Sequence, residues 1–258
     1  LRVLITQSAL NGPGLEEEML KTSKLLAVSA ALFTALAVLS GAIAVPLLCR
    51  PFYYAHIGPL GLENITGLTR EEIRQAFDQV MDYCLGLRED FAAGILPFSE
   101  SGASHFADVR VLFLLDLWVL GLSLLGLIVL FVLCRKKRLR PSLLLGHGPG
   151  FWAASGLGVV FLAVGAFAAT DFDRAFVVFH HLFFPGKDNW LFNWWEDPVI
   201  LILPETFFRN CAILILVMLL LWCAILILAD LWAGRRRKRA QNLGPSCGGN
   251  CQGCSGCG

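Results

Sequence analysis

The sequence predicts an all-α polytopic membrane protein, with four transmembrane helices and a small extracytoplasmic cap of short helices and irregular loops. Three observations carry that prediction. Hydrophobic residues make up 56% of the 258-residue chain and mean hydropathy is +0.66, values beyond those of a soluble domain. Four apolar runs, at 25–48, 111–133, 151–170 and 211–232, reach the roughly 20 residues that cross a bilayer. Basic clusters fall at alternate ends of those runs.

Residues 1–18 end in Glu16-Glu17-Glu18 and read as an unstructured extension. Met19, with Lys21 and Lys24 directly before the first apolar run, looks like the better start. A cleaved signal peptide over 19–49 is the rival reading. The run at 25–48 is longer than a signal core of ~7–15 residues, so it reads as an uncleaved first membrane helix. Lys21 and Lys24 precede that run, Arg135-Lys136-Lys137-Arg138 follows the second, and Arg235-Arg236-Arg237-Lys238-Arg239 follows the fourth. The positive-inside rule then places both termini and the loop 135–150 in the cytoplasm. Loops 50–110 and 171–208 face outward, and 19–233 forms one membrane domain ahead of a cytoplasmic tail at 234–258.

The first outer loop contains Thr69-Arg70-Glu71-Glu72, a capping-box pattern at a helix start. Ile73, Phe77, Val80, Met81 and Cys84 recur behind it at helical spacing, giving an amphipathic helix of about four turns. Its apolar face must bury against the second outer loop or the membrane surface. Asp116 lies within the second apolar run and is expected to face the protein interior, paired or protonated. Asp230, near the inner end of the fourth run, is close enough to the basic tail to pair with it.

The second outer loop is chemically the richest stretch. It carries six acids, the adjacent His180-His181 and three tryptophans. Phe176, Phe179, Phe183 and Phe184 mark one aromatic face of a helix starting near Asp173, and Pro185-Gly186 ends it. His180 and His181 are about 100° apart on that helix and cannot share its face. A histidine at a membrane boundary beside carboxylates suits general-base work near neutral pH.

The run Phe179-His180-His181-Leu182-Phe183-Phe184, then Trp190, Asp197-Pro198 and Leu203-Pro204-Glu205-Thr206-Phe207-Phe208, resembles the lipoprotein intramolecular transacylase family of Gram-positive integral membrane proteins. Ser104-His105-Phe106-Ala107-Asp108-Val109-Arg110 resembles that family's His-x-x-Asp-Val-Lys/Arg element. Asn193-Trp194 stands where the family pattern has Asp-Pro. The resemblance implies a cell-membrane acyltransferase with its site at the outer membrane–water boundary. The reaction it implies moves the sn-2 acyl chain of a diacylglyceryl-cysteine lipoprotein to the amine of the same cysteine, giving the lyso form. Membrane lipid and the lipoprotein are then the partners. By the same match His180 is the candidate base and His105 the second catalytic residue, as polariser or proton shuttle. Tyr53, Tyr54, Asp108, Arg110, Trp190 and Glu205 are the residues available to bind or orient the substrate. Arg110 has two options, Asp108 or a lipid headgroup. His56 matches no element of the family.

Chemically such a transfer needs a deprotonated amine, a polarised ester carbonyl and a protonated leaving alkoxide. An α-amine near pKa ~8 is well matched to imidazole. No nucleophilic serine or cysteine is required, no cofactor is needed for catalysis, and no G-x-S-x-G elbow is present in the outer segments. Cys247, Cys251, Cys254 and Cys257 are spaced for zinc or an iron–sulfur cluster. The alternative is a Gly/Ser-rich tail whose thiols hold nothing of functional use. A quinone-linked disulfide oxidase would need paired outer cysteines, and only the separate Cys49 and Cys84 are there. A non-enzymatic lipid- or metal-responsive sensor is the other alternative function. The near-neutral net charge of +1 and the lack of a basic, aromatic-interleaved tract imply no nucleic-acid partner.

Overall fold

The computed structural model describes residues 22–242. The N-terminal extension and the four tail cysteines lie outside the described residues. The short strand β1 (Thr22–Ser23) leads into α1 (Lys24–Leu48), whose first turn is capped by the Ser23 hydroxyl accepting from the Leu26 amide. Next come α2 (Arg50–His56), α3 (Leu62–Thr66) and α4 (Arg70–Cys84). The long α5 (Glu100–Lys136) is followed by β2 (Arg140–Pro141), which pairs in parallel with β1. Then α6 (Pro149–Thr170), α7 (Phe172–Phe183), α8 (Val199–Ile202) and α9 (Glu205–Asn242) complete the order.

The four helices α1, α5, α6 and α9 are long and apolar enough to cross a membrane, and the protein is a multi-pass membrane protein. Their outward faces leave Leu122, Leu125, Ile128, Val159 and Leu228 exposed, as a lipid-facing surface requires. At about 1.5 Å per residue, α5 is roughly 55 Å long, well beyond a hydrocarbon core of ~30 Å. Its apolar run 111–133 is by itself roughly 35 Å long, enough to cross, so the first three turns, 100–110, extend beyond the length that a bilayer needs. Packing between α1 and α5 is close. A Cβ at Gly126 would come within 2.8 Å of the Phe33 ring, so any larger residue there would have to displace that ring. Asp116 turns toward Ser40 of α1, in keeping with an interior-facing acid.

At one end of the bundle the shorter helices form a cap with its own core. The capping box at Thr69 is present. The Thr69 amide donates to Glu72 Oε2 at 2.8 Å, and the Glu72 amide donates to Thr69 Oγ at 3.3 Å. Caps of this kind stabilise a helix by about 1 kcal/mol. Behind the box, Ile73, Phe77, Val80 and Cys84 are buried against Val199, Ile202 and Phe207. The apolar face of α4 therefore packs on the second long loop rather than lying on a membrane. Burial of each such side chain contributes roughly 1.5–3 kcal/mol. Arg50 ties α2 to α4 through Asp78, at 3.0 Å, and Asp82. At the opposite end, Asp230 of α9 accepts from the Gly148 amide at 2.9 Å and pairs with His147 at 2.7 Å, with Arg237 at 3.8 Å. The tail contact expected of Asp230 is present, but His147 is its nearer partner.

Candidate active site

Two helices that approach from different parts of the chain meet beside the cap. Asp171 caps α7 by accepting from the Arg174 amide at 2.9 Å, and the helix ends at Phe183, just before Pro185-Gly186. That short span leaves His180 buried at 7% exposure, while His181 faces outward. The other helix is α5. Ser99 caps it, accepting from the Gly102 amide at 2.9 Å. Asp197 in turn accepts from the Ser99 amide at 2.7 Å and the Ser99 hydroxyl at 2.8 Å. A buried carboxylate is well placed there, because the N-terminus of a helix carries partial positive charge. A Cβ at Gly102 would sit 2.3 Å from Asp197 Oδ1, so glycine is what lets the carboxylate approach. One turn further on is His105, at 5% exposure.

The rings of His105 and His180 have centroids 5.9 Å apart. Aromatic side chains wall the pair. Phe184 meets His105 edge-on at 5.0 Å, and Phe192 lies 5.4 Å from it. Trp190 stacks on His180 at 4.6 Å, and Phe176 is 4.2 Å from the same ring. Trp190 is itself held by its indole N–H donating to the Lys187 carbonyl at 3.0 Å. Beneath His105, Asp108 accepts from Lys187 Nζ and from Asn189 Nδ2, the latter at 3.0 Å. These bonds pin the loop after α7 to α5.

Hydrogen bonding sets the protonation pattern. A carbonyl can only accept, so His180 Nδ1 donates to the Phe176 carbonyl at 2.8 Å. The Nε2 of a neutral His180 therefore carries the lone pair. His105 Nδ1 is buried and has no hydrogen-bond partner among the described residues. Burial pushes the His105 imidazole down to about 4, with the neighbouring His180 adding to the shift. Burial also lowers His180, against the opposing bond to Phe176. Both rings are neutral at pH 7. For Asp108, burial raises the carboxyl, but Lys187 and Asn189 outweigh it and hold it below its ordinary value.

Of the expected site residues, His105, His180, Asp108 and Trp190 come together. The others sit elsewhere. Tyr53 is in the cap core, stacked on Phe77 at 3.7 Å, with its hydroxyl donating to the Ile202 carbonyl at 2.8 Å. Tyr54 donates to Asp78 at 2.7 Å. Arg110 takes neither Asp108 nor an open position; it donates to the Arg88 carbonyl at 2.8 Å and lies over the Tyr83 ring. Glu205 stands beside Asp173 at the start of α9. His56 bonds the Phe52 carbonyl at 2.7 Å on α2. Lys187, Asn189, Phe184 and Phe192 enter the site without having been singled out. The i, i+3 spacing of His105 and Asp108 was the available signal that a partner for Asp108 would lie near the histidine. Cys84 is buried in the cap core while Cys49 is exposed and free, so the cap holds no disulfide between them. Among the described residues no group of three or more His, Cys, Asp or Glu is arranged to hold a metal ion.

Comparison with known proteins bears on both fold and family. No curated protein matches the chain in sequence. The chain is similar in structure to the membrane-integral lipoprotein intramolecular transacylase Lit of Bacillus cereus, with a TM-score of 0.74 and 24% identity over 84% of this chain and 97% of that one. Two variants of the same protein also match. One, with a histidine replaced by arginine, gives a TM-score of 0.68 at 22% identity over 84% of this chain and 93% of that one. The other, with an alanine replacement, gives 0.69 at 21% over 83% and 94%. These likenesses establish the shared fold of a four-span helical membrane protein. The family model described as Lipoprotein intramolecular transacylase Lit matches residues 28–208, a stretch that contains both histidines, their aromatic walls and the whole cap. With well over half of its length matched, this membrane acyltransferase belongs to the lipoprotein intramolecular transacylase family.

Proposed function

We propose that His180 is the general base, and His105 the polarising and proton-returning group, of an O-to-N acyl transfer within a diacylglyceryl-cysteine lipoprotein. The observation that carries this reading is the paired geometry. His180 has its Nε2 lone pair set by the Phe176 bond, and 5.9 Å away lies a second imidazole with an unpartnered nitrogen. Family membership favours this transfer over a non-enzymatic sensor.

The α-amine attacks the sn-2 ester carbonyl; a C–N bond forms and the carbonyl oxygen becomes an oxyanion. His180 Nε2 takes the proton from the nitrogen of the adduct. Collapse breaks the C–O bond to glycerol, and the alkoxide leaves with the proton held by the His180 imidazolium, passed directly or through His105, which accepts a proton on one nitrogen as it gives one from the other. One proton is lost and one regained, so the step needs no redox equivalent and no cofactor. Magnitudes decide when the base acts. Even an imidazole at the ordinary ~6.5 would take a proton directly from an ammonium of pKa ~8 at a cost of about 2 kcal/mol, and burial, which lowers His180, raises that cost. Reaching the neutral amine through bulk water at pH 7 costs only about 1.4 kcal/mol. The amine therefore enters neutral, and the histidines act on the adduct.

Because amine and ester belong to one molecule, the site chiefly supplies orientation. Trp190 fixes the His180 ring, and the Asp108–Lys187–Asn189 set fixes the loop over His105. The lipoprotein would enter laterally, acyl chains in the bilayer and peptide beyond it, at the outer boundary. In this arrangement both termini and the loop 135–150 are cytoplasmic. The test is mass spectrometry of lipoprotein N-termini in a host lacking its own N-acylation. His180→Ala should insert normally yet give no lyso-form product, and product at the wild-type level would remove His180 from the mechanism.

A further inference from the structure

The turn that leads into α6 carries a feature that acyl transfer does not use. Leu143, Leu144 and Leu145 are all exposed there, Leu145 at 81%. We propose that this turn is a membrane contact, its leucines dipping into the lipid leaflet at this end of the bundle. The inference is independent of the acyl-transfer reading.

The backbone singles out Leu145. The Leu144 amide donates to the His147 carbonyl and the His147 amide to the Leu144 carbonyl, both at 3.0 Å. Between them, Leu145 and Gly146 have φ of 50° and 82°. A two-residue turn of this kind favours asparagine or aspartate before the glycine, because a bulky side chain is strained at positive φ. Leucine there costs backbone stability, and its side chain joins neither buried cluster among the described residues. A gain outside the chain offsets both losses. The turn is also firmly seated. His147 stacks on Phe151 at 4.0 Å and pairs with Asp230, so the leucines stand on a fixed stem.

Trp152 identifies the partner as lipid. On α6 the exposed residues Trp152, Gly156, Val159 and Ala163 recur at helical spacing, away from the buried Ala154. That stripe belongs to the lipid-facing surface of the bundle. The Trp152 indole N–H donates to the Leu144 carbonyl at 3.1 Å, so the turn lies on the lipid-facing side of α6, at the first residues of its apolar run. The same bond and the cross-turn pair satisfy backbone groups of Leu144 and His147 that hydrocarbon would leave unpaired. Tryptophan is itself enriched at this depth. Lys136 and Lys137, exposed at the same end, suit a headgroup layer better than an apolar protein partner.

The experiment places a nitroxide on the full chain, freed of native cysteines and reconstituted in nanodiscs of mixed phosphatidylglycerol and phosphatidylcholine. Power saturation compares collisions with oxygen, which concentrates in lipid, and with a water-soluble nickel chelate. A label at Leu145→Cys should favour oxygen several-fold more than a label at Lys137→Cys, at a depth within ~5–10 Å of the headgroup–acyl boundary. Leu144 lies outside the left-handed region, so a label at Leu144→Cys should show the same preference without touching the strained position. A label at Leu162→Cys, on the exposed side of α6, calibrates full lipid contact. Nickel access at positions 144 and 145 equal to that at 137 would put the turn in water and overturn the proposal. Protection from both reagents would assign the leucines to a contact between copies of the chain, and overturn the choice of lipid.

Discussion

Replacing Gly102 by alanine tests how α5 presents His105. The added Cβ would lie 2.3 Å from Asp197 Oδ1 and 2.8 Å from its Cγ, inside any normal contact. Asp197 is 4% exposed and has little room to withdraw. Moving it breaks the bonds from the Ser99 amide and hydroxyl, at 2.7 and 2.8 Å. Hydrogen bonds to a charged group contribute about 1.5–3 kcal/mol each, and a disturbed cap adds about 1 kcal/mol. Partial retention of the bonds gives an expected loss of about 2–4 kcal/mol in cap stability. Because His105 follows within one turn, a displacement near 1 Å should also slow acyl transfer by about 10²-fold. The assay is a double-mutant cycle, with thermal melting in detergent and lyso-lipoprotein formation as readouts. In an Asp197→Ala background the obstruction is gone, so adding Gly102→Ala should cost almost nothing and gains helix propensity. Additive losses in the double variant, or wild-type rate and stability in Gly102→Ala, would refute the steric argument.

The histidines should separate by role. His105→Ala should cost ~10²–10³ in rate if it only polarises the ester, and as much as His180→Ala if it also returns the proton. His181→Ala should cost far less, since that ring faces outward; comparison of end-group analyses for the three variants decides it. Burial holds both site imidazoles below the ordinary value of ~6.5, so in mild acid the unfolded chain binds more protons than the folded one. Stability is then complete above pH ~6.5 and falls as pH drops toward about 4, by about 3 kcal/mol for His105. Melting temperatures across that window should fall for wild type and fall less for His105→Gln; parallel slopes would contradict the assignment. In a background free of native cysteines, an impermeant thiol probe should label Lys187→Cys in intact cells. It should label Ser142→Cys only after permeabilisation, and early labelling of Ser142→Cys would reverse the orientation.

Much of the architecture was legible in local sequence. The four membrane helices follow from run length alone, because a helix in hydrocarbon satisfies its own backbone. The α4 start was readable in Thr69-x-x-Glu72, and the α7 end in Pro185-Gly186, since both signals act within one turn. His180 and His105 were each marked by a short motif resemblance, and the 100° offset correctly separated a buried His180 from an exposed His181. What the sequence left open were choices across space. Periodicity showed that α4 had an apolar face, but only packing chose Val199, Ile202 and Phe207 as its cover. The same burial drew Tyr53 into the cap core, where its hydroxyl meets the Ile202 carbonyl. Asp108 had a basic neighbour two residues on in Arg110, yet its partners are Lys187 and Asn189 from the far loop. Helical geometry aims Asp108 and Arg110 about 200° apart, so proximity in sequence meant little. The pairing of His105 with His180 and the Asp197–Ser99 clamp join residues from distant segments. No periodic signal encodes such contacts; they exist because the cap core brings both long loops onto the first turns of α5.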